Sequence, residues 1–146
     1  MAGREIGIDV DGERFTATLL EDKAPITCQA VWALLPIDDR TVHVKWSGNA
    51  WRTWGDYPID IPANPVENPG HILEAGDLVY YPGMHKICVA YGDAEWLSPH
   101  CERLDVTVFG KIDPAQTDRL KQVSESVWLE GAKPVRFTRL TDDRTS

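Results

Sequence analysis

Ile6, Ile8 and Val10 alternate with polar or small residues and run directly into Asp11-Gly12. That dipeptide favours a two-residue hairpin turn, because both central residues tolerate positive φ. The return segment, about Arg14 to Leu20, puts Phe15, Ala17 and Leu19 on one face and Thr16 and Thr18 on the other. The chain is thus committed from the start to antiparallel β-structure with one buried face. Its remaining residues must complete that sheet and cover it.

Lys23-Ala24-Pro25 leads into an apolar stretch, Ile26 to Leu35, closed by Pro36. Proline suits the first helical position, and a second proline ends the helix. Ile26, Ala30, Val31 and Leu34 recur at helical spacing and are read as its core-facing side. From Thr41 the period returns to two, with Val42, Val44 and Trp46 on one face and Thr41, His43 and Lys45 on the other. Residues 47–70 are rich in Trp, Pro, Asn and Gly and read as loops with short extended pieces; Pro58, Pro62, Pro65 and Pro69 argue against a central strand there. Leu78 to Tyr81 and Lys86 to Tyr91 form a strand pair joined by Pro82-Gly83-Met84-His85. Val106, Val108 and Phe109 mark another strand, ended by Gly110. Asp113-Pro114-Ala115-Gln116 reads as a capping-box start to a second helix carrying Leu120 and Val123 on its buried side. A last strand, Val135 to Leu140, precedes a polar tail, 141–146, so that residues 1–140 make a single domain. Seven or eight short strands with two isolated helices suit a closed barrel with helices at its open ends; a sandwich with appended helices is the competing architecture.

Lys and Arg total 15 against 23 Asp and Glu in 146 residues, a net charge of −8. That balance argues against a nucleic-acid surface or a basic membrane-binding face. No apolar run approaches the roughly 20 residues of a spanning helix, and no leader-like segment opens the chain. Cys28 and Cys88 lie in apolar runs and read as core residues; with Cys101 they show no paired spacing, which points to a reducing cytoplasm. His43, His71, His85 and His100 stand at no chelating spacing, so neither metal nor cofactor is expected.

Two stretches resemble cyclophilins. Phe15 to Val31, with its acidic turn and A-P-I-T helix start, is similar to the opening of that family, and Val108-Phe109-Gly110-Lys111-Ile112 before a helix is similar to its C-terminal part. Trp46-Ser47-Gly48, Glu67-Asn68-Pro69, Ala75-Gly76-Asp77, Tyr81-Pro82-Gly83 and Val89-Ala90-Tyr91-Gly92 resemble a bacterial cyclophilin-like family of uncharacterised function. The resemblance implies a mostly β fold: a closed eight-stranded cyclophilin-like barrel with two capping helices. It does not carry over the prolyl isomerase pattern. Ungapped alignment on Asp56 puts Lys45 at the family's catalytic arginine, Ala50 at its phenylalanine and Thr53 at its glutamine. Glu95-Trp96-Leu97 matches, but the spacing to the next strand is longer and Val106 falls at the place of the pocket histidine. Lysine does not reproduce a planar guanidinium fork.

The tryptophans divide on sequence into core (Trp32, Trp46, Trp128) and pocket candidates (Trp51, Trp54, Trp96). Trp51-Arg52-x-Trp54, beside Lys45 on an outward strand face, is read as an aromatic groove or as simple loop anchoring, with Arg52 either holding a carboxylate or solvating the loop. Glu67 and Asn68 are either a binding pair or turn chemistry before Pro69, and His85 either faces the groove or is an exposed turn residue. The expectation is a barrel that binds a small organic acid, amide or short peptide, with no nucleic-acid or membrane partner and with surface enough for a homo-oligomer. Prolyl isomerisation, or a role in or beside an enzyme acting on an amide or lactam, is the alternative.

Overall fold

The computed structural model describes residues 3–61, 66–98 and 100–141. The tail beyond Thr141 lies outside these residues, as do Pro62 and Pro65. Strands β1 (Glu5–Val10) and β2 (Glu13–Leu19) pair about Asp11-Gly12, whose φ values of 50° and 87° are those the hairpin requires. Helix α1 (Pro25–Leu34) follows, then β3 (Ile37–His43), β4 (Gly48–Thr53), the two-residue β5 (Pro69–Gly70) and β6 (Ile72–Leu73), β7 (Asp77–Tyr81), β8 (Lys86–Glu95), β9 (Val106–Ile112), helix α2 (Thr117–Glu130) and β10 (Pro134–Arg139). The sheet runs β2-β1-β10-β3-β4-β8-β7-β9, and β9 returns to β2 through Ala17↔Ile112, Thr18↔Lys111 and Leu19↔Gly110. Every pairing is antiparallel. The protein is therefore a closed eight-stranded antiparallel barrel with two helices, and closure leaves these eight strands without a free edge. The tight β7–β9 approach needs Gly110, where a Cβ would lie 2.9 Å from Leu78 Cδ2.

Alternation along the strands builds two separate apolar layers. Ile8, Phe15, Trp51, Leu78, Tyr80, Ile87, Val89, Phe109 and Phe137 fill the interior. On the outer side of β4, β8, β7 and β9, Ala50, Cys88, Ala90, Val79 and Val106 make a second cluster under Val44, Leu73 and Trp96. Helix α1 closes one end, its Cys28 Sγ donating to Phe109 O at 3.3 Å. Helix α2 packs on β3, β4 and β8, with Leu120, Ser124 and Val127 buried and Val123 against the core.

Several sequence expectations change. The buried side of α1 is Thr27, Cys28, Val31 and Trp32, while Ile26 and Leu34 are exposed. The orientation is fixed by Glu67, whose carboxylate accepts from Ile26 N (3.1 Å), Thr27 N (2.7 Å) and Thr27 Oγ1 (2.8 Å). Ala24, at the N-cap, offers no side-chain acceptor, so a carboxylate 40 residues away satisfies the free helix donors. Strand β3 ends at His43 rather than continuing to Trp46, because a 3-10 turn at Lys45–Ser47 folds the chain back. Within the segment read as loop, β4 is a full central strand; its Ala50, Trp51 and Thr53 are buried, and the prolines begin only beyond it. Asp113 does cap, accepting from Ala115 N at 3.0 Å, but Gln116 accepts from Thr16 N at 2.8 Å instead of reaching back.

Candidate functional site

Strand β4 sorts its residues by parity. Trp51 and Thr53 point into the barrel, and Ala50 and Arg52 lie on the outer face. Trp51 is fully buried and donates from Nε1 to Ser124 Oγ of α2 at 3.0 Å, so it anchors a helix and lines no groove. Trp96 is also buried, at the edge of the outer layer, where it meets Tyr81 edge-on at 5.9 Å between centroids. Glu67 serves as the cap of α1. Asn68 is turn chemistry: at φ 38° its Nδ2 donates to Val108 O (2.8 Å) and its carbonyl accepts from Val108 N (3.2 Å). Lys45 sits in the 3-10 turn rather than on a strand face, its Nζ 5.2 Å from the centre of the Trp128 ring.

The core assignment of two tryptophans is likewise corrected. Trp32 is buried, but Trp46 is 40% exposed and Trp128 is 51% exposed. Trp46 falls in the turn that ends β3 and donates to Leu97 O at 3.2 Å. Trp128 lies one residue, about 100° of helix, past the buried row Leu120-Ser124-Val127. It covers His43 at 5.1 Å.

Of the sequence candidates, the structure gathers Arg52, Trp54 and His85 at one corner of the outer face. Arg52 is opposite Cys88 in the β4–β8 ladder; its Nη1 donates to Thr53 O at 3.0 Å, and its buried Nε has no hydrogen-bond partner. Among the described residues no carboxylate lies within ion-pair distance of it. Trp54 is 68% exposed on a backbone that is held firmly: its N–H donates to Arg40 O (2.9 Å), and its carbonyl accepts from Lys86 Nζ (2.6 Å). His85, at the hairpin tip with φ 57°, accepts through its carbonyl from Tyr57 N at 2.7 Å.

Two residues of this corner, Lys86 and Asp39, carry no functional signal in the sequence. Lys86, only 5% exposed, donates to the carbonyls of Trp54 and Gly55 (2.6 and 3.1 Å) and pairs with Asp56 at 2.7 Å. That ammonium holds the Asp56 carboxyl below the usual carboxylate range, with weaker pulls from His85 and Arg52. Asp39 completes the clamp, accepting from Gly55 N at 2.9 Å and from the Tyr57 hydroxyl. All that marks Lys86 in the sequence is its place at the head of an otherwise apolar strand. The corner thus sets Arg52, Lys86 and a histidine beside two carboxylates, Asp56 paired with Lys86 and Asp39 bonded to Gly55 N and the Tyr57 hydroxyl.

The floor beneath is inert. Burial pushes the Cys88 thiol far up, against weaker pulls from Arg52 and Lys86, so no thiolate nucleophile forms there at neutral pH. Among the described residues no three His, Cys, Asp or Glu side chains converge as a metal site. The isomerase positions are also reassigned: Thr53 faces inward, its Oγ1 donating to Gly55 O and accepting from Ile87 N, and Val106 is buried in the outer layer. A surface cavity of about 300 Å³, bounded by Gly3 and residues 18–23, contains none of the candidates. Its lysine, Lys23, is exposed and shares the rim with Glu21 and Asp22, a poorer setting for an anion than the half-buried Arg52.

At the α2 end, the Tyr91 hydroxyl meets His43 Nε2 at 2.6 Å. Burial, with a smaller push from Lys45, lowers the imidazole from 6.5 to about 4. Between those values the unfolded chain takes up a proton that the native state does not. The neutral ring's contribution is therefore fully present above pH 6.5 and is lost as pH falls towards 4. For a half-buried ring reached by solvent the loss is about 1–2 kcal/mol. Urea unfolding at about pH 7 and about pH 4.5 should show a smaller drop for His43→Gln than for the parent chain; equal drops would contradict the assignment.

No helix among the described residues is long and apolar enough to cross a membrane. The fold is shared with solved structures of low sequence identity. McbB, solved in complex with tryptophan, superposes with a TM-score of 0.74 at 21% identity, over 94% of this chain and 45% of its own. This chain thus spans less than half the length of McbB. The hypothetical protein AF2241 of Archaeoglobus fulgidus gives 0.60 at 18% identity, over 94% and 95% of the two chains. The Mimivirus cyclophilin gives 0.58 at 13% identity, over 99% and 92%. No functionally curated protein matches the sequence. A family model matches residues 6–139, nearly the whole barrel, and the chain belongs to that family, the proteins of unknown function DUF3830.

Proposed function

We propose that this barrel binds a small organic acid at the outer-face corner, with Arg52 as the anchor for its carboxylate. The observation that carries this is the state of the guanidinium. Arg52 is half-buried over an apolar floor, only its Nη1 is engaged, by Thr53 O, and among the described residues no carboxylate is paired with it. A planar guanidinium with free donors takes a carboxylate through two parallel hydrogen bonds, and a partly desolvated setting strengthens them. Lys86 is already committed to Asp56 and two carbonyls, which leaves Arg52 as the half-buried cation of this corner open to a ligand; Arg40, across the ladder from Trp54, is exposed and more fully solvated.

Isothermal titration with acetate, benzoate and tryptophan tests the reading; tryptophan is included because the neighbour McbB was solved with it. Arg52→Met, which keeps the stem and removes the charge, should weaken carboxylate binding by at least roughly tenfold, the scale of one charged hydrogen bond of about 1.5–3 kcal/mol. Equal binding by parent and variant would end the proposal. A second reading, prolyl isomerisation, has in its favour an arginine beside an apolar floor on the outer face. A protease-coupled assay on X–Pro peptides separates the two, since a purely binding protein leaves the rate at the uncatalysed value.

A further inference from the structure

Trp54 is the most exposed tryptophan among the described residues, and it has a better-fixed backbone than an exposed loop residue needs. Its N–H extends the β3–β4 ladder onto Arg40 O. Its carbonyl is held by the buried Lys86 ammonium, which also takes Gly55 O and Asp56. Gly55 N and the Tyr57 hydroxyl both lead to Asp39, so the next turn is fixed from the other side. Burying an ammonium to within 5% exposure is costly, and here it is directed at the carbonyl of an otherwise solvated indole. Trp54 directly follows β4, and its bond to Arg40 O continues the Val42↔Arg52, Thr41↔Thr53 register, which sets it on the side of Arg52 while Trp51 and Thr53 turn inward.

We infer that Trp54 is a stacking platform, so that the organic acid taken by Arg52 is one whose carboxylate is attached to, or lies close to, a flat aromatic ring. The inference rests on the Arg52 reading and narrows it from any small carboxylate to an aromatic one. The guanidinium fixes the carboxylate, and the indole, prepositioned by Lys86, gives the ring a face to lie on. Stacked rings gain beyond the area they bury, and a platform with an immobile backbone loses little freedom when it is used. Lys86 is here a positioning residue, acting on the ligand only through Trp54.

The test compares three probes on the intact chain by titration calorimetry: acetate, cyclohexanecarboxylate and benzoate. Benzoate should bind the parent protein roughly 2- to 10-fold more tightly than cyclohexanecarboxylate, which has the same carboxylate and similar bulk without a π-face. Trp54→Ala should erase that difference while leaving acetate unchanged, and Trp54→Phe should restore part of it. Arg52→Met should remove all three. If the parent binds benzoate and cyclohexanecarboxylate equally, or if Trp54→Ala weakens all probes alike, the platform is wrong and the Arg52 reading survives. If no probe binds, or if Arg52→Met binds as the parent does, both fall.

Discussion

Trp51→Ala is expected to lower the unfolding free energy by about 3–5 kcal/mol, whereas Trp54→Ala, in the adjoining turn, leaves it within about 0.5 kcal/mol. The two indoles are equivalent in composition and opposite in physics. Trp51 has no exposed surface, fills the interior among the residues of the main core, and donates to Ser124 Oγ. Truncating it opens a cavity between β4 and α2 and leaves the Ser124 hydroxyl, itself buried, without its partner. Helix α2 would then keep its contacts through Leu120 and Val127 but lose this polar tie to the barrel. Trp54 exposes 68% of its surface, and its backbone bonds survive substitution. Urea midpoints measured at constant m check the pair. Equal midpoints for the two variants would mean that Trp51 is no core residue.

Lys86→Met should cost about 2–3 kcal/mol and loosen residues 54–57 without disturbing the core. The ammonium is nearly inaccessible and donates to two loop carbonyls. Each is a charge-assisted hydrogen bond, of about 1.5–3 kcal/mol when lost. Methionine returns part of that by removing the cost of burying a charge, so the net falls below the sum. Amide exchange should quicken at Gly55 and Tyr57 and stay slow in β7 and β8, and the order parameter of the Trp54 amide should fall. A variant as stable as the parent, with unchanged exchange, would show that Lys86 is not what holds the loop.

The barrel is legible in the sequence because its signals are local. Asp11-Gly12 closes one hairpin, Pro82 to His85 another, and Pro25 and Pro36 delimit the first helix. The departures come from long-range terms. Composition alone makes residues 47–70 look like loop, yet β4 is held centrally by pairing with β3 and β8, and no local window contains both partners. The face of α1 escapes a periodicity reading because its orientation depends on Glu67, far along the chain. At the site, Trp54 stands out as an indole in a polar, Gly- and Pro-rich stretch, and Arg52 as the cation between two tryptophans. Trp51 has the same local signal, but strand parity sends it inward once β4 is recognised. Lys86 is silent in the sequence because a lysine at a strand end ordinarily faces water; only the fold shows three acceptors closing over it.

The role proposed for Arg52, anchor of a carboxylate on the outer face, is tested most directly by a benzoate titration followed at the Arg52 Nε–H and Trp54 Nε1–H resonances. Both should shift saturably with one common affinity, and Arg52→Met should abolish the shift at Trp54. Resonances that do not move, or shifts confined to residues 18–23 and unchanged in Arg52→Met, would contradict it.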